Sequence, residues 1–286
     1  MLAAEKLLRR GVEEGVFPYA EWALFDRNGI EHSGATAGEG GRWFDLASLT
    51  KTFTATALLG LVKVGGLRLS ESAGELLAPA SPKLRGYLDK MSLFSLMTHT
   101  SGLPAWYPFY ADGRPFFEAL EELLDCRGLG NGMVYSDLGY MLLGLVLSRK
   151  AGAPLEEVID PMGFGVRYRP PRELDFVPSC RDNAVEEGMC ADLGMSFTGF
   201  RPHRTDVCGE PNDGNAHYFW HDVSGHAGLF GTVQALAGLG RFYLTTNDPV
   251  YLGGVTPQPG CEGRCLVFHT GGAFPTGCGH TAPASG

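Results

Sequence analysis

Ser48 and Lys51 stand three residues apart in the run Phe44-Asp45-Leu46-Ala47-Ser48-Leu49-Thr50-Lys51. Residues 52–64 behind them are rich in Ala and Leu, with no Pro or Gly before Gly60, which predicts a helix entering the core. A serine in the first turn of such a helix sits where unpaired N–H groups and the helix dipole favour negative charge. A lysine three residues on shares its face and can reach its hydroxyl. A free serine is a poor nucleophile, and a lysine desolvated against an apolar helix can lose its proton and serve as base. That chemistry is acyl transfer. Ser-x-x-Lys also occurs on ordinary surface helices, but here the flanking Phe44, Leu46, Ala47 and Leu49 are apolar and the pattern occurs once in the chain.

The elements that must hold this pair come from a chain of 286 residues, 44% hydrophobic and 19% charged, long enough for one large core or two interleaved subdomains. A net charge of −9 argues against nucleic acid or an anionic membrane surface as partner. The longest apolar runs, residues 55–62 and 140–147, are too short to span a bilayer. Met1 leads directly into an amphipathic helix without signal-peptide features, so the expected location is cytoplasmic, or periplasmic if an exported precursor was trimmed. Seven scattered cysteines fit reduced thiols better than a disulfide framework. Cys261, Cys265, His269, Cys278 and His280 cluster near the C-terminus, but their spacing matches no standard zinc module, and no metal site is assigned.

In order, residues 3–14 read as an amphipathic helix, and residues 19–25 and 30–33 flank Arg27-Asn28-Gly29 as a hairpin. Residues 92–98 form a short helix before the turn His99-Thr100-Ser101-Gly102-Leu103-Pro104. Residues 116–124 are amphipathic and helical. Tyr135 precedes a strongly apolar helix over residues 138–148, with Ser136 or Asp137 as its cap. Residues 154–215 are irregular, the kind of long loop that is functional or draped over another element. Val223–Thr232 is a Gly-rich turn before a helix over 233–244, and residues 265–270 are the one strand candidate beyond it. The order suggests a helical subdomain inserted into an α/β one.

Four stretches in order, residues 44–51, 96–104, 135–140 and 224–230, make the chain resemble the serine β-lactamase and penicillin-binding superfamily, in its class C-like esterase and carboxypeptidase branch. The resemblance implies an α/β (α+β type) fold, a single domain over 1–286. Its antiparallel sheet subdomain would take residues 1–45 and about 246–286, with a mainly helical subdomain over about 46–245. It implies a serine hydrolase forming an acyl-enzyme on an ester, amide or β-lactam carbonyl. Ser48 is then the nucleophile and Lys51 its hydrogen-bonded proton partner. Tyr135, opening the element Tyr135-Ser136-Asp137, acts as phenolate-like base and then as acid to the leaving group, a role that nearby cations would support. Asp137 stands where β-lactamases more often carry Asn. It is either a cap alone or a negative charge that holds Lys51 protonated.

The family's third motif, a Lys-Thr-Gly or His-Thr-Gly strand at the pocket edge, has two candidates. His269-Thr270-Gly271 matches the letters, and Gly279-His280-Thr281-Ala282 has the preceding Gly. The resemblance also implies two further strands and a helix after that motif, for which the sequence has no room, so a sheet incomplete at the C-terminus is expected. His99 and His226 read as structural side chains bonded to backbone. Trp106, Tyr107 and Tyr110 either line the pocket mouth or pack. The chemistry requires no metal or organic cofactor, and the partner is a small-molecule or peptidoglycan-like substrate. Gly-x-Ser-x-Gly, His-Glu-x-x-His and phosphate-loop patterns are absent. The rival reading is a non-catalytic remnant that binds such ligands.

Overall fold

The computed structural model describes residues 3–179, 182–261 and 263–269. Helix α1 (Ala3–Glu13) lies on an antiparallel ribbon of β1 (Glu21–Phe25) and β2 (Ile30–Ala35), held where Arg9 donates to the carbonyls of Ala35 and Thr36. The ribbon turns where the Asp26 carboxylate accepts from the Asn28 and Gly29 N–H groups, as the Asn-Gly pair predicts.

A second, three-stranded antiparallel sheet has the order β3-β5-β4. Here β3 is Phe44–Asp45, β4 Arg167–Tyr168 and β5 Leu229–Gly231, with Asp45 opposite Phe230 and Arg167 opposite the same residue. Its strands are contributed from three distant parts of the chain. Two of its strands, β4 and β5, lie within the region expected to be mainly helical, and β3 delivers the chain into the Ser48 turn.

Two helices occupy the centre. Helix α2 (Thr50–Lys63) is buried on all sides over its first turns, and α8 (Asp137–Ala151) is buried from Leu138 to Leu147 apart from Leu145. A helix apolar or neutral all round can sit in the middle of a core because every face finds a partner. The buried threonines of α2 satisfy their hydroxyls internally or on neighbours: Thr52 donates to Leu49 O and Thr56 to Thr52 O. Around this pair pack α3 (Ala73–Leu77), α4 (Pro82–Leu88), α5 (Leu93–Met97), α6 (Phe109–Asp112) and α7 (Phe116–Arg127). Helices α9 (Leu155–Ile159), α10 (Ala184–Asp192), α11 (Val233–Thr245) and α12 (Pro249–Leu252) complete the set. Among the described residues, the stretch 154–215 thus contains α9, a 3-10 turn at Asp160–Met162, β4 and α10.

One expectation fails, that of a strand over residues 265–270. Among the described residues this segment carries no named strand: α12 is followed by a tight turn in which Cys265 N–H donates to Phe268 O and Arg264 bridges to His269. The apolar run Cys265-Leu266-Val267-Phe268 is buried by packing rather than by strand pairing. Leu266 and Phe268 donate to the carbonyls of Gly253 and Gly254, and the Phe268 ring meets Tyr243 edge-on. Short apolar runs do not distinguish the two outcomes.

Candidate active site

The site is assembled where the N-terminal ends of α2 and α8 converge. Strand β3 pairs with β5, and the pairing continues as Leu46 N–H donates to Leu229 O. The chain then makes a one-turn 3-10 segment, Ala47–Leu49, ahead of α2. Ala47 takes φ = +44°, a left-handed conformation that costs an L-residue about 1–2 kcal/mol. The Asp45 carboxylate holds that turn, with one oxygen accepting from Ala47 N–H and the other from Asn212 N–H, both at 2.8 Å. Ser48 is thereby presented at the mouth of α2, half-buried, in the field of the helix N-terminus.

Lys51 lies one turn in and is 2% exposed. Its ammonium donates to Ser48 Oγ at 2.7 Å and to the His226 carbonyl at 3.1 Å, and forms an ion pair with Asp137 Oδ1 at 2.7 Å. Burial alone would lower the Lys51 pKa. The Asp137 and Tyr135 groups beside it, with Asp213 behind, outweigh burial and raise it above the ordinary lysine value. Lys51 is therefore a cation that donates to Ser48 Oγ, and Asp137 does more than cap a helix.

Tyr135 and Asp137 are set by the 99–105 turn. Val134 N–H donates to His99 O, Ser136 N–H to His99 Nδ1, Ser136 Oγ to Pro104 O, and Asp137 N–H to Ala105 O. Ser136 Oγ also accepts from Gly139 N–H, capping α8. His99, at φ = +61°, packs its ring at a tilt of 38° with its centre 4.5 Å from that of Tyr135. The Tyr135 ring centre in turn lies 5.0 Å from Lys51 Nζ. The turn resembling the family's second stretch is thus the mould for the tyrosine loop, and His99 does bond backbone as expected.

The fourth stretch lies along α2. Thr54 donates to Gly225 O at 2.8 Å, Lys51 to His226 O, and Thr50 Oγ1 accepts from Leu229 N–H at 3.2 Å. Its approach to α8 is as close as backbones allow. A Cβ on Gly225 would stand 2.2 Å from Tyr140 O and 2.9 Å from Gly144 Cα. His226 corrects an expectation. Its ring bonds side chains, Nε2 to Asp213 Oδ1 at 2.9 Å and Nδ1 to Ser224 Oγ at 2.7 Å, and it is 1% exposed.

Asp45, Asp213 and Glu186 were not singled out from the sequence. The signals were Asp45 three residues before the serine and the turn-forming run Asn212-Asp213-Gly214-Asn215, both of which also suit plain turns. Burial raises Asp45 to about 6 against the N–H bonds it accepts. Burial and the neighbouring Asp213 raise Glu186 to about 7. Asp213 is half-buried, and His226 and the Ala216 N–H hold it below the ordinary carboxylate value. Of the aromatic residues, Tyr107 donates to Asp112 and Tyr110 packs among Phe197, Phe200 and Tyr218, which is packing rather than a pocket rim. Of the third motif, His269 is buried at the Arg264 bridge, while Thr270, Gly271 and His280 lie outside the described residues. No group of three or more His, Cys, Asp or Glu side chains among the described residues is arranged to hold a metal ion.

The beta-lactamase family profile matches residues 4–162, more than half of the chain and including Ser48, Lys51, Tyr135 and Asp137. The chain belongs to the beta-lactamase family. An N-acetylmuramyl-L-alanine amidase of Bacillus subtilis (strain 168) is 31% identical over 214 residues, covering 68% of this chain and 48% of the relative. The chain spans about half the length of the curated relatives it matches. Two solved structures share the fold of this beta-lactamase-family chain. The D-stereospecific amidohydrolase from Streptomyces sp. has a TM-score of 0.62 at 18% identity, covering 90% of this chain and 77% of that one. The class C beta lactamase from Rhodobacter sphaeroides has a TM-score of 0.58 at 16% identity, covering 87% and 68%.

Proposed function

We propose that the chain is a serine hydrolase that cleaves an acyl bond through an acyl-enzyme on Ser48, with an amide of peptidoglycan type as its substrate. The observation that carries the reading is the Ser48 Oγ–Lys51 Nζ–Asp137 Oδ1 alignment, 2.7 Å on each side, in a site walled from solvent on the lysine side. In this reading the Lys51 ammonium stays protonated and donates to Ser48 Oγ, stabilising the oxyanion character that develops there. Tyr135, reacting as a phenolate beside the same cation, takes the Ser48 proton as Oγ bonds to the substrate carbonyl carbon. The tetrahedral intermediate collapses with loss of the amine, which receives the proton from Tyr135. Water then repeats the sequence in reverse on the acyl-enzyme, releasing the acid and restoring the Ser48 hydroxyl. In this reading the Ser48 N–H, in the 3-10 turn ahead of α2, is one donor toward the carbonyl oxygen.

The amide preference rests on the amidase relative, which is similar over two-thirds of this chain. The non-catalytic rival is disfavoured by a site that keeps nucleophile, cation and tyrosine together. The test is release of free amine from a muramyl-L-alanine conjugate and from a D-alanyl-D-alanine peptide, and the colour change on ring opening of a chromogenic cephalosporin, each with Ser48→Ala alongside. Release from the muramyl conjugate, lost in Ser48→Ala, is expected. Preference for either other substrate would replace the substrate class. Reaction with none would remove the hydrolase reading.

A further inference from the structure

A closed circuit of hydrogen bonds surrounds the Ser48–Lys51 pair, and its far side is built from residues that touch neither. From Ser48 it runs to Lys51, then to the carbonyl of His226. The ring of His226 bonds Asp213 through Nε2. Asp213 follows Asn212, whose N–H donates to Asp45 Oδ2, and Asp45 Oδ1 accepts from Ala47 N–H, next to Ser48. A carboxylate only accepts, so Nε2 of His226 carries a proton, while Nδ1 bonds Ser224 Oγ. The ring is fixed at both nitrogens. The same four-residue turn is anchored elsewhere too: Gly214 N–H donates to Glu186, and the Asn215 side chain bonds Phe109 N–H and Tyr107 O.

We propose that Asp213, acting through His226, and Asp45, acting through Ala47, are positioning residues that together fix the Ser48–Lys51 geometry, an inference that rests on the serine hydrolase reading. Asp213, His226 and Ser224 have the partners of a catalytic triad. With Ser224 4% and His226 1% exposed, the trio offers no hydroxyl to a substrate, so its role is to hold the His226 carbonyl on Lys51. Without that acceptor one N–H of a buried ammonium loses its partner, and the lysine can swing from Ser48. Without Asp45 the left-handed Ala47 turn loses its tether. A displacement of about 1 Å in such a pair costs up to about a hundredfold in rate. The loss falls on the chemical step, because the residues stand behind the nucleophile and not in the space a substrate fills.

The experiment measures labelling of the full chain by a fluorophosphonate, separating the limiting inactivation rate from the half-saturating reagent concentration. Asp213→Ala is expected to lower the limiting rate about tenfold to a hundredfold with half-saturation within about threefold. Asp213→Asn keeps an oxygen for His226 and Ala216 and is expected to recover most of that loss. Ser224→Ala, which removes only the second tether of the ring, provides a milder variant if Asp213→Ala does not fold cooperatively, and a severalfold fall in limiting rate is expected. Limiting rates within twofold of wild type in the folded variants would overturn the proposal. So would a change confined to half-saturation or to melting temperature. Wild-type protein that takes no label, while folded, would instead remove the hydrolase reading, and this inference with it.

Discussion

At the scale of single residues, the carboxylate of Asp137 bears most directly on the state of Lys51. A carboxylate 2.7 Å from a buried ammonium stabilises the charged form, and Lys51 sits above its ordinary pKa in spite of burial. Asp137→Asn removes that charge, so the Lys51 pKa is expected to fall. The groups left facing it are Ser48, Tyr135, Tyr140 and, behind His226, Asp213. Nitrogen-resolved NMR titration of the lysine Nζ would show the shift, and an unmoved titration would mean that Asp137 does not set the charge. Ala47 is the other decisive residue. Ala47→Gly relieves a left-handed φ and is expected to leave the melting temperature level or slightly raised, whereas Ala47→Val, β-branched at the same φ, is expected to cost at least about 1–2 kcal/mol. Denaturant melts of the two variants give the comparison.

At the scale of elements, the helices of the site were legible because their information is local. The apolar run behind Ser48, the Ser136 cap and the hairpin at Asn28-Gly29 all appear where their residue types put them. What joins them was not legible. Asp45 meets Asn212 across 167 residues and Lys51 meets His226 across 175, and no periodicity encodes a pairing at such separation. The strand expected over 265–270 failed for a related reason: an apolar run signals burial, and the partner decides its form. The crossing of α8 with the Gly225 segment is another non-local requirement. Gly225→Ala places a methyl 2.2 Å from a backbone oxygen, where nothing flexible can yield. It is expected to cost about 3 kcal/mol or more and to weaken labelling of Ser48, since Thr54 and Lys51 bond this segment. A melting temperature within a degree of wild type would show that the helix and segment are not packed as described.

At the scale of the whole molecule, the half-buried carboxylates tie stability to pH. Glu186 and Asp45 bind protons more tightly folded than unfolded, with values of about 7 and about 6. Stability from these groups is present below the ordinary carboxylate range and is lost as pH rises through those values. Asp213, held low by His226, works in the opposite sense, and its stabilisation is lost only as pH falls below the ordinary range. Melting temperature is therefore expected to decline between pH 5 and 8. Glu186→Gln, which keeps an acceptor for Gly214 N–H and faces Asp213, Tyr110 and Asn183, is expected to flatten that decline. A slope unchanged in Glu186→Gln would assign the pH dependence elsewhere. Everything in the fold converges on one hydroxyl: the small sheet delivers Ser48, two helix ends meet over it, and a third stretch holds its lysine. The direct measurement is the intact mass of folded protein after exposure to a fluorophosphonate or a penicillin, with Ser48→Ala treated in parallel and cooperative unfolding confirmed for both. A single adduct on the wild type, absent from Ser48→Ala, is expected. Folded wild-type protein without an adduct, or an adduct that persists in Ser48→Ala, would contradict Ser48 as the nucleophile.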